Sequence, residues 1–167
     1  MFRTSMKRKP VLAACAILAM FGISSAVLAQ YSGETAWIQM QDKGLFGTKK
    51  IMLEATLFKP DGDGPFPIVI FNHGSTGRKG ARTAPTQTEN PLAYGRMLTQ
   101  RGVALLVPMR RGRGKSEGRY REEDYECSLS GARQGIRYAM ESLDAVFDYL
   151  KRRSWVDMKR VVLAGQS

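Results

Sequence analysis

Histidine and cysteine are scarce in this chain of 167 residues, which has one histidine and two cysteines. The acidic residues Glu122, Glu123, Asp124 and Glu126 therefore do not combine with histidine or cysteine at the spacing of a metal site, and we predict no metal. Internal repeats and low-complexity tracts are also absent. The informative features are the pattern of apolar residues and a few short motifs.

Acidic residues are few as well, since 15 of them stand against 26 lysines and arginines, for a formal net charge of +11. An excess of this size attracts polyanions without specificity, although it carries no information about the fold. Part of the excess belongs to the first 29 residues, which contain four basic residues and no acid. The remaining chain therefore has a net charge of about +7.

The first 29 residues have the layout of a secretory signal peptide. A basic segment (Arg3–Lys9) precedes an apolar stretch (Val11–Val27), and Ala29 provides a small residue for the signal peptidase. We predict that residues 1–29 are removed on export. The mature protein, residues 30–167, is then expected to be periplasmic or extracellular, without a stable membrane span.

Two other interpretations of this leader stay open. The apolar stretch is nearly long enough to remain as an uncleaved membrane anchor. The sequence LAAC at Leu12–Cys15 also resembles a lipoprotein box, although little apolar sequence precedes it. After cleavage only Cys127 would remain, and a lone cysteine in an exported chain suggests that its partner lies elsewhere.

The apolar pattern predicts the order strand, strand, strand, helix, strand, helix, strand. Residues 36–41 and 50–58 alternate between apolar and polar, as half-buried strands do. Residues 67–74, 103–108 and 160–165 are almost continuously apolar, which is typical of strands covered on both faces. We therefore predict an α/β fold with a mostly parallel sheet and flanking helices.

Each predicted helix has its own signal. Asn90 is expected to cap the first helix, with Pro91 at its first position and Gly102 at its end. The second helix shows apolar residues at spacings of three and four. These residues are Ile136, Ala139, Met140, Leu143, Val146, Phe147 and Leu150.

Three stretches carry the chemistry: IVIFNHGS (68–75), VPMRRGRGKSEG (107–118) and DYLKRRSWVDMKRVVLAGQS (148–167). Together they resemble successive landmarks of the α/β-hydrolases, in particular the dienelactone hydrolase-like and prolyl-oligopeptidase-like branches. The resemblance spans Ala36 to Ser167. It covers only the first half of that fold and stops at the nucleophile turn. It therefore implies an amino-terminal part of an α/β-hydrolase domain.

The resemblance implies a role for three residues. Ser167 would be the nucleophile, because Gly165-Gln166-Ser167 matches the start of the G-x-S-x-G turn. The backbone N–H of Ser75 would bind the oxyanion, and Gly74 would form the oxyanion turn. Dienelactone hydrolases proper carry cysteine where Ser167 stands, so an esterase or a peptidase acting on a small ester or peptide is implied.

Several parts of such a site are missing from the sequence as given. The second glycine of the turn, the helix that follows it, the second oxyanion N–H, the catalytic acid and the catalytic histidine are not found. His73 precedes Ser167, whereas the triad of this fold runs in the order serine, acid, histidine. We therefore assign His73 a structural, hydrogen-bonding role and expect the chain as given to be inactive.

The loop Arg110–Gly118 allows two further interpretations. Its Gly-Lys-Ser (114–116) is not a P-loop, because Met109 stands where the first glycine of that motif belongs, and we predict no cofactor. Its basic residues are expected to form a solvated loop, which could also meet an anionic ligand. The alternative function is thus a non-catalytic exported protein that binds an anionic polymer or a membrane surface; no specific nucleic acid is expected.

Overall fold

The computed structural model describes residues 33–44, 47–74, 90–122 and 128–166. The elements of this part follow the predicted order of strands and helices. They are β1 (Glu34–Gly44), β2 (Gly47–Phe58), β3 (Phe66–Asn72), α1 (Leu92–Thr99), β4 (Ala104–Pro108), α2 (Leu129–Lys151) and β5 (Val156–Gly165).

The strands form one sheet in the order β1-β2-β4-β3-β5. β2 is antiparallel to both of its neighbours, β1 and β4. β3 is parallel to both β4 and β5. Four of the five described strands therefore run in the same direction, which confirms the predicted mostly parallel α/β sheet.

The two helices cover opposite faces of the sheet. On one face, α2 packs through Val146, Tyr149 and Leu150 against the main apolar core, which includes Ile68 and Leu106. On the other face, α1 contributes Leu98 to a smaller cluster formed around three buried residues. Those three are Phe58, Leu105 and Val107. Because both faces are covered, the central strands β3 and β4 are almost continuously apolar.

Helix α1 begins one residue later than predicted. Its N-cap is Pro91, which makes no side-chain capping hydrogen bond, and the N–H of Leu92 donates to the carbonyl of Asn90 (2.8 Å). Gly95 is the buried residue of this helix. A Cβ atom at Gly95 would overlap the ring of Phe58, so the absence of a side chain sets how closely α1 approaches β2.

Helix α2 buries the predicted face in its last turns, where Val146 and Leu150 lie in the core, but not in its earlier turns. Ile136 and Met140 are 60% and 55% exposed, respectively. The buried residues of the helix before Val146 are instead the small residues Gly131, Gly135 and Ser142. The loop after β4 passes close to Ser142, whose hydroxyl receives the N–H of Arg111 at 3.5 Å. No helix of the described residues has the length and apolar character needed to cross a bilayer.

Replacing Gly95 with alanine tests the close packing of α1. Alanine favours a helix over glycine by about 1 kcal/mol, but its Cβ would overlap the ring of Phe58. We expect Gly95→Ala to lower the free energy of unfolding by about 1–3 kcal/mol in urea titrations. Adding Phe58→Leu should recover part of that loss, whereas strictly additive costs would contradict the proposed contact.

Candidate active site

The carboxyl ends of β3 and β5 lie side by side at one edge of the sheet. Their register pairs Asn72 with Gly165. The N–H of Gln166 donates to the carbonyl of Asn72 (3.2 Å), and Nδ2 of Asn72 donates to the carbonyl of Ala164 (3.2 Å). A Cβ atom at Gly165 would lie 3.1 Å from that same Asn72 carbonyl oxygen, so the two strand ends are in tight contact.

The predicted site residues lie on the two segments that follow these paired strand ends. The chain leaves β3 through His73 and Gly74, and it leaves β5 through Gln166. Gly74 is described and half-buried, whereas Ser75 and Ser167 lie outside the described residues. The roles of all three in catalysis stay predictions. The neighbouring strand ends show that both segments start from the same edge of the sheet.

The imidazole of His73 is buried beside Gly74, with 5% of the residue exposed. Its Nε2 atom receives the backbone N–H of Arg110 (3.2 Å), and its Nδ1 atom lies 2.9 Å from the carbonyl oxygen of Gly74. A backbone N–H can only donate and a carbonyl can only accept. His73 is therefore neutral, with its proton on Nδ1 and a lone pair on Nε2.

The surroundings of His73 favour this neutral form. Burial, together with the nearby positive charge of Arg110, lowers the pKa of His73 from 6.5 to about 4. Both ring nitrogens are already engaged by backbone groups. A general base needs one free nitrogen beside the nucleophile, so the geometry supports a hydrogen-bonding role for this residue.

Arg110 and Glu122 form a two-pronged ion pair next to His73. Nε of Arg110 donates to Oε1 of Glu122 (2.5 Å), and Nη2 donates to Oε2 (2.8 Å). The remaining prong, Nη1, donates to the backbone carbonyl of His73 (2.9 Å). Both side chains of the pair are largely buried. Because both contacts to the guanidinium are directional, they fix its position against the end of β3.

The expectation of a solvated arginine loop is wrong for Arg111. Only 1% of this residue is exposed. Its guanidinium donates to Asp42 of β1 (2.5 Å) and, from α2, to Glu141 (2.8 Å) and the carbonyl of Tyr138 (2.7 Å). It also stacks on the Tyr138 ring at 3.5 Å. Two carboxylates compensate for the burial of this cation, which water would otherwise solvate.

Arg113 is buried in the same loop and also differs from the expectation. Its guanidinium lies 4.0 Å from the centre of the Tyr120 ring, and Nη2 donates to the Tyr120 hydroxyl (2.9 Å). Glu122, one of the acids that formed no predicted site, is paired with Arg110. For Arg111, sequence spacing could not reveal the partners Asp42 and Glu141, because they lie on distant elements.

Backbone hydrogen bonds attach the same loop to β2. Met109 N donates to the carbonyl of Glu54 (2.8 Å), and Glu117 N donates to the carbonyl of Met52 (2.9 Å). Between them, the hydroxyl of Ser116 receives Glu54 N (2.8 Å) and donates to Met109 O (2.6 Å). The buried carboxylate of Glu54 accepts from Lys115 N (2.7 Å). Glu54 was not among the predicted site residues, although its place as an acid within an apolar strand is a usable signal of a buried polar contact.

Glycine at position 112 allows the loop to close. Gly112 has a φ of +69°, and a Cβ atom there would overlap the backbone nitrogen of Tyr120. Gly102 has a similar φ of +72°, but a Cβ atom there would meet nothing within 4 Å, so it provides a matched comparison. The two positions have a similar positive φ and differ in what a Cβ atom would contact.

We expect Gly102→Ala to lower the free energy of unfolding by about 1–2 kcal/mol, the cost of a left-handed backbone conformation. Gly112→Ala should lower the free energy of unfolding by about 1–3 kcal/mol more than Gly102→Ala does, because the backbone atoms of Tyr120 cannot shift without straining the loop. Urea denaturation of both variants measures the difference. Equal losses at the two positions would show that the loop does not close tightly on Tyr120.

The lowered pKa of His73 makes stability depend on pH. The unfolded chain, with a pKa near 6.5, binds a proton more readily than the folded chain, with a pKa of about 4. The contribution of neutral His73 to the free energy of unfolding is therefore complete above pH 6.5 and is lost as the pH falls towards 4. Its full size is ~3 kcal/mol.

Urea denaturation at several pH values should show this loss in the original chain. The variant His73→Gln, which cannot titrate, should lose less stability over the same pH interval. Acidic groups contribute equally to both proteins, so the difference between the two curves isolates His73. Parallel curves would contradict the burial of a neutral imidazole.

Comparison with family models finds no match, and comparison with curated proteins finds none either. Solved structures do match. Acylaminoacyl peptidase from Pyrococcus horikoshii is 15% identical over 86% of this chain and 21% of its own, with a TM-score of 0.53. Est1E from Butyrivibrio proteoclasticus, solved with ferulic acid, is 25% identical over 79% of this chain and 42% of its own, with a TM-score of 0.48.

The chain spans about a fifth of the peptidase and two fifths of Est1E. Both matched proteins are α/β-hydrolases. The likeness to the peptidase, at this low identity, is evidence about the fold alone. The described part of this chain therefore has the α/β-hydrolase fold, of which it comprises only a part.

Proposed function

We propose that this chain is the amino-terminal half of an exported serine hydrolase that cleaves an ester or peptide bond. The observation that carries the proposal is the contact between the ends of β3 and β5, where Gln166 N donates to Asn72 O (3.2 Å). This contact supports a nucleophile turn that starts beside the start of the predicted oxyanion turn. Acyl transfer requires a nucleophile and an oxyanion donor around one carbonyl group.

In the proposed reaction, the hydroxyl oxygen of Ser167 attacks the substrate carbonyl carbon, and its proton passes to a general base. The carbonyl oxygen becomes an oxyanion that accepts a hydrogen bond from the N–H of Ser75. Collapse of this intermediate breaks the bond to the alcohol or amine, which leaves with a proton. Water then attacks the acyl-Ser167 ester, releases the acid and restores the serine.

The general base and the acid that orients it are proposed to lie in sequence that follows residue 167 in a longer protein. His73 is a poor candidate for the base, since backbone groups occupy both of its ring nitrogens. The chain as given is therefore proposed to be inactive, because an unassisted serine hydroxyl is a weak nucleophile.

Export is proposed on the leader sequence. The basic segment, apolar stretch and small-residue site of residues 1–29 are those of a signal peptide. Cleavage would leave residues 30–167 in the periplasm or outside the cell. Mass spectrometry of the protein recovered from these fractions would identify its first residue.

The alternative, a protein that binds an anionic polymer or membrane surface, receives less support from the arginine loop. Arg111 and Arg113 are buried, and Arg110 is paired with Glu122. These cations are therefore not available to phosphate or carboxylate groups of a polymer. Retention on a polyanion column that falls steeply with salt would nevertheless revive this alternative.

A fluorophosphonate probe tests the proposed nucleophile. We expect the 167-residue chain to stay unlabelled, and a longer protein that contains it to be labelled at Ser167. Ser167→Ala should abolish labelling and reduce ester hydrolysis by at least about a thousandfold. Ser154→Ala, at an exposed serine just before β5 and so at the opposite end of that strand from Gly165, should change neither. Labelling of the 167-residue chain, or of the Ser167→Ala variant, would contradict the assignment.

A further inference from the structure

We propose that the outer edge of β1 and the neighbouring side of α2 form a docking groove for an extended peptide segment of a partner protein, with lysine or arginine at two alternate positions. The segment would add a strand to β1 and direct its cationic side chains towards α2. β1 and β5 are the two outermost strands of the described sheet. The groove is therefore separate from the ends of β3 and β5, and the proposal does not depend on the proposed hydrolase.

The groove is a cavity of about 420 Å³ between the strand and the helix, a volume in the range of ligand sites. Its β1 wall includes residues 39–43, which extend over about 13 Å. Its α2 wall includes residues between Glu141 and Arg152, which extend over about 16 Å. Both walls are long, so the shape of the groove suits an extended chain of about five residues.

The backbone of Gln39 points into this groove. In an antiparallel pair, facing residues either exchange both backbone hydrogen bonds or turn both groups away from each other. Gln39 faces Met52 of β2. The N–H of Met52 donates to the Glu117 carboxylate (2.8 Å) and its carbonyl accepts from the Glu117 N–H (2.9 Å), in the loop after β4. Gln39 and Met52 therefore do not bond to each other, and both backbone groups of Gln39 point outward.

Other residues of β1 share this arrangement. Trp37 faces Glu54, which bonds through both backbone groups to the loop after β4. By the two-residue period of a strand, Gln41 and Lys43 also point their N–H and C=O groups outward. Among the described residues, no strand pairs with this edge of β1. Such a row of outward backbone donors and acceptors is a template for an added strand.

The facing wall of α2 determines the charge of the occupant. Three acids of the helix, Glu141, Asp144 and Asp148, line the groove. Glu141 is already bound to the buried Arg111 (2.8 Å). Asp144 and Asp148 are exposed. The ion pair of Asp148 with Lys151 (3.1 Å) is also exposed, and pairs of this kind contribute little stability. These two carboxylates are therefore accessible to a cation.

The basic residues that line the groove lie at its two ends. Glu141 shares a buried arginine partner with Asp42, which directly precedes Lys43. Lys43 and Glu141 therefore lie at the same end. Arg152 is about 16 Å further along α2, at the other end. The middle of the α2 wall is consequently acidic.

The spacing of the two carboxylates matches the spacing of side chains on a strand. Asp144 and Asp148 are about 6 Å apart along the helix axis. Side chains at positions i and i+2 of a strand lie on one face and are about 7 Å apart. Lysine or arginine at two alternate positions of the added strand can therefore meet one carboxylate each, while its backbone pairs with β1.

The first experiment titrates the 167-residue chain with a synthetic peptide of about seven residues, which has lysine at two alternate positions among threonine and valine. In nuclear magnetic resonance, we expect the amides of Gln39 and Gln41 to shift because they gain acceptors. Those of Ile38 and Met40 face β2 and should shift less. A peptide with glutamate in place of lysine should bind about tenfold more weakly.

The glutamate peptide is a stringent control, because the formal net charge of +11 attracts acidic segments without specificity. Equal or tighter binding of that peptide would overturn the proposal. Absence of lysine-peptide binding up to about millimolar concentration would overturn it as well. A dimer of the chain whose formation shifts the same β1 amides would identify a second copy as the occupant, and would also contradict the proposal.

Two N-methylated peptides test whether the backbone pairs with β1. Adjacent N–H groups of an added strand point alternately towards β1 and away from it. Methylation of an N–H that faces β1 should weaken binding at least about tenfold, since it removes a hydrogen bond and adds a clash. Methylation of the next N–H should change the affinity less than about twofold. The two peptides have the same composition, so equal weakening would overturn strand addition.

A double variant tests the acidic wall. Asp144→Asn combined with Asp148→Asn should weaken binding of the lysine peptide about three- to tenfold, because two exposed ion pairs are lost. Asp63→Asn, at an exposed aspartate in the loop between β2 and β3, should leave the affinity unchanged. All three aspartates are exposed, and urea denaturation would verify that each variant is folded. Equal affinities of the double variant and the control would contradict the assigned role of α2.

Discussion

The buried guanidinium of Arg111 is the interaction on which the arrangement around the candidate site depends. An isolated cation in the interior would cost several kcal/mol, so its position is stable only while Asp42 and Glu141 remain beside it. Asp42 belongs to β1 and Glu141 belongs to α2, and the two therefore meet through this one side chain. The preceding residue, Arg110, is the one that contacts His73. The anchoring of Arg111 consequently sets the location of its neighbour, Arg110.

The same loop connects distant parts of the sheet. Its backbone is hydrogen-bonded to Met52 and Glu54 on β2, whereas Arg110 reaches the end of β3. The buried Glu54 carboxylate accepts a backbone N–H from the loop, as a charged acceptor in the interior requires. The segment Arg-Gly-x-Gly-x-Ser (111–116) is thus attached to β2 through the hydroxyl of Ser116 and the N–H of Lys115, with glycine where a side chain would collide.

Sequence patterns predicted the order of elements because that order depends on local information. The continuous apolar runs of β3 and β4 and the periodic apolar residues of α2 each reflect residues close in the chain. The buried face of α2 could not be predicted in the same way. Ile136 and Met140 match an apolar stripe, but the space facing Ser142 is occupied by the loop of Arg111, which lies 31 residues earlier.

The sequence indicated which strand ends carry the candidate motifs, whereas the catalytic roles of those motifs stay predictions. Gly74 and the Gly165 turn were recognisable as motifs, since both follow apolar strands. The tautomer of His73 and the pairing of Arg110 with Glu122 were not, because they depend on contacts between residues that folding brings together. Burial of Arg111 and Arg113 likewise has no local signature, since an arginine in a glycine-rich loop is usually solvated.

The pairing of β3 with β5 has a consequence for the order of folding. Asn72 and Ala164, joined by a hydrogen bond, are 92 residues apart in the chain. Closing so long a loop costs conformational entropy that the contact repays only once the intervening helices and β4 are in place. The two halves of the candidate site therefore come together late. Any partly folded form of the chain that lacks β5 would carry the carboxyl end of β3 without Ala164 and Gln166 beside it.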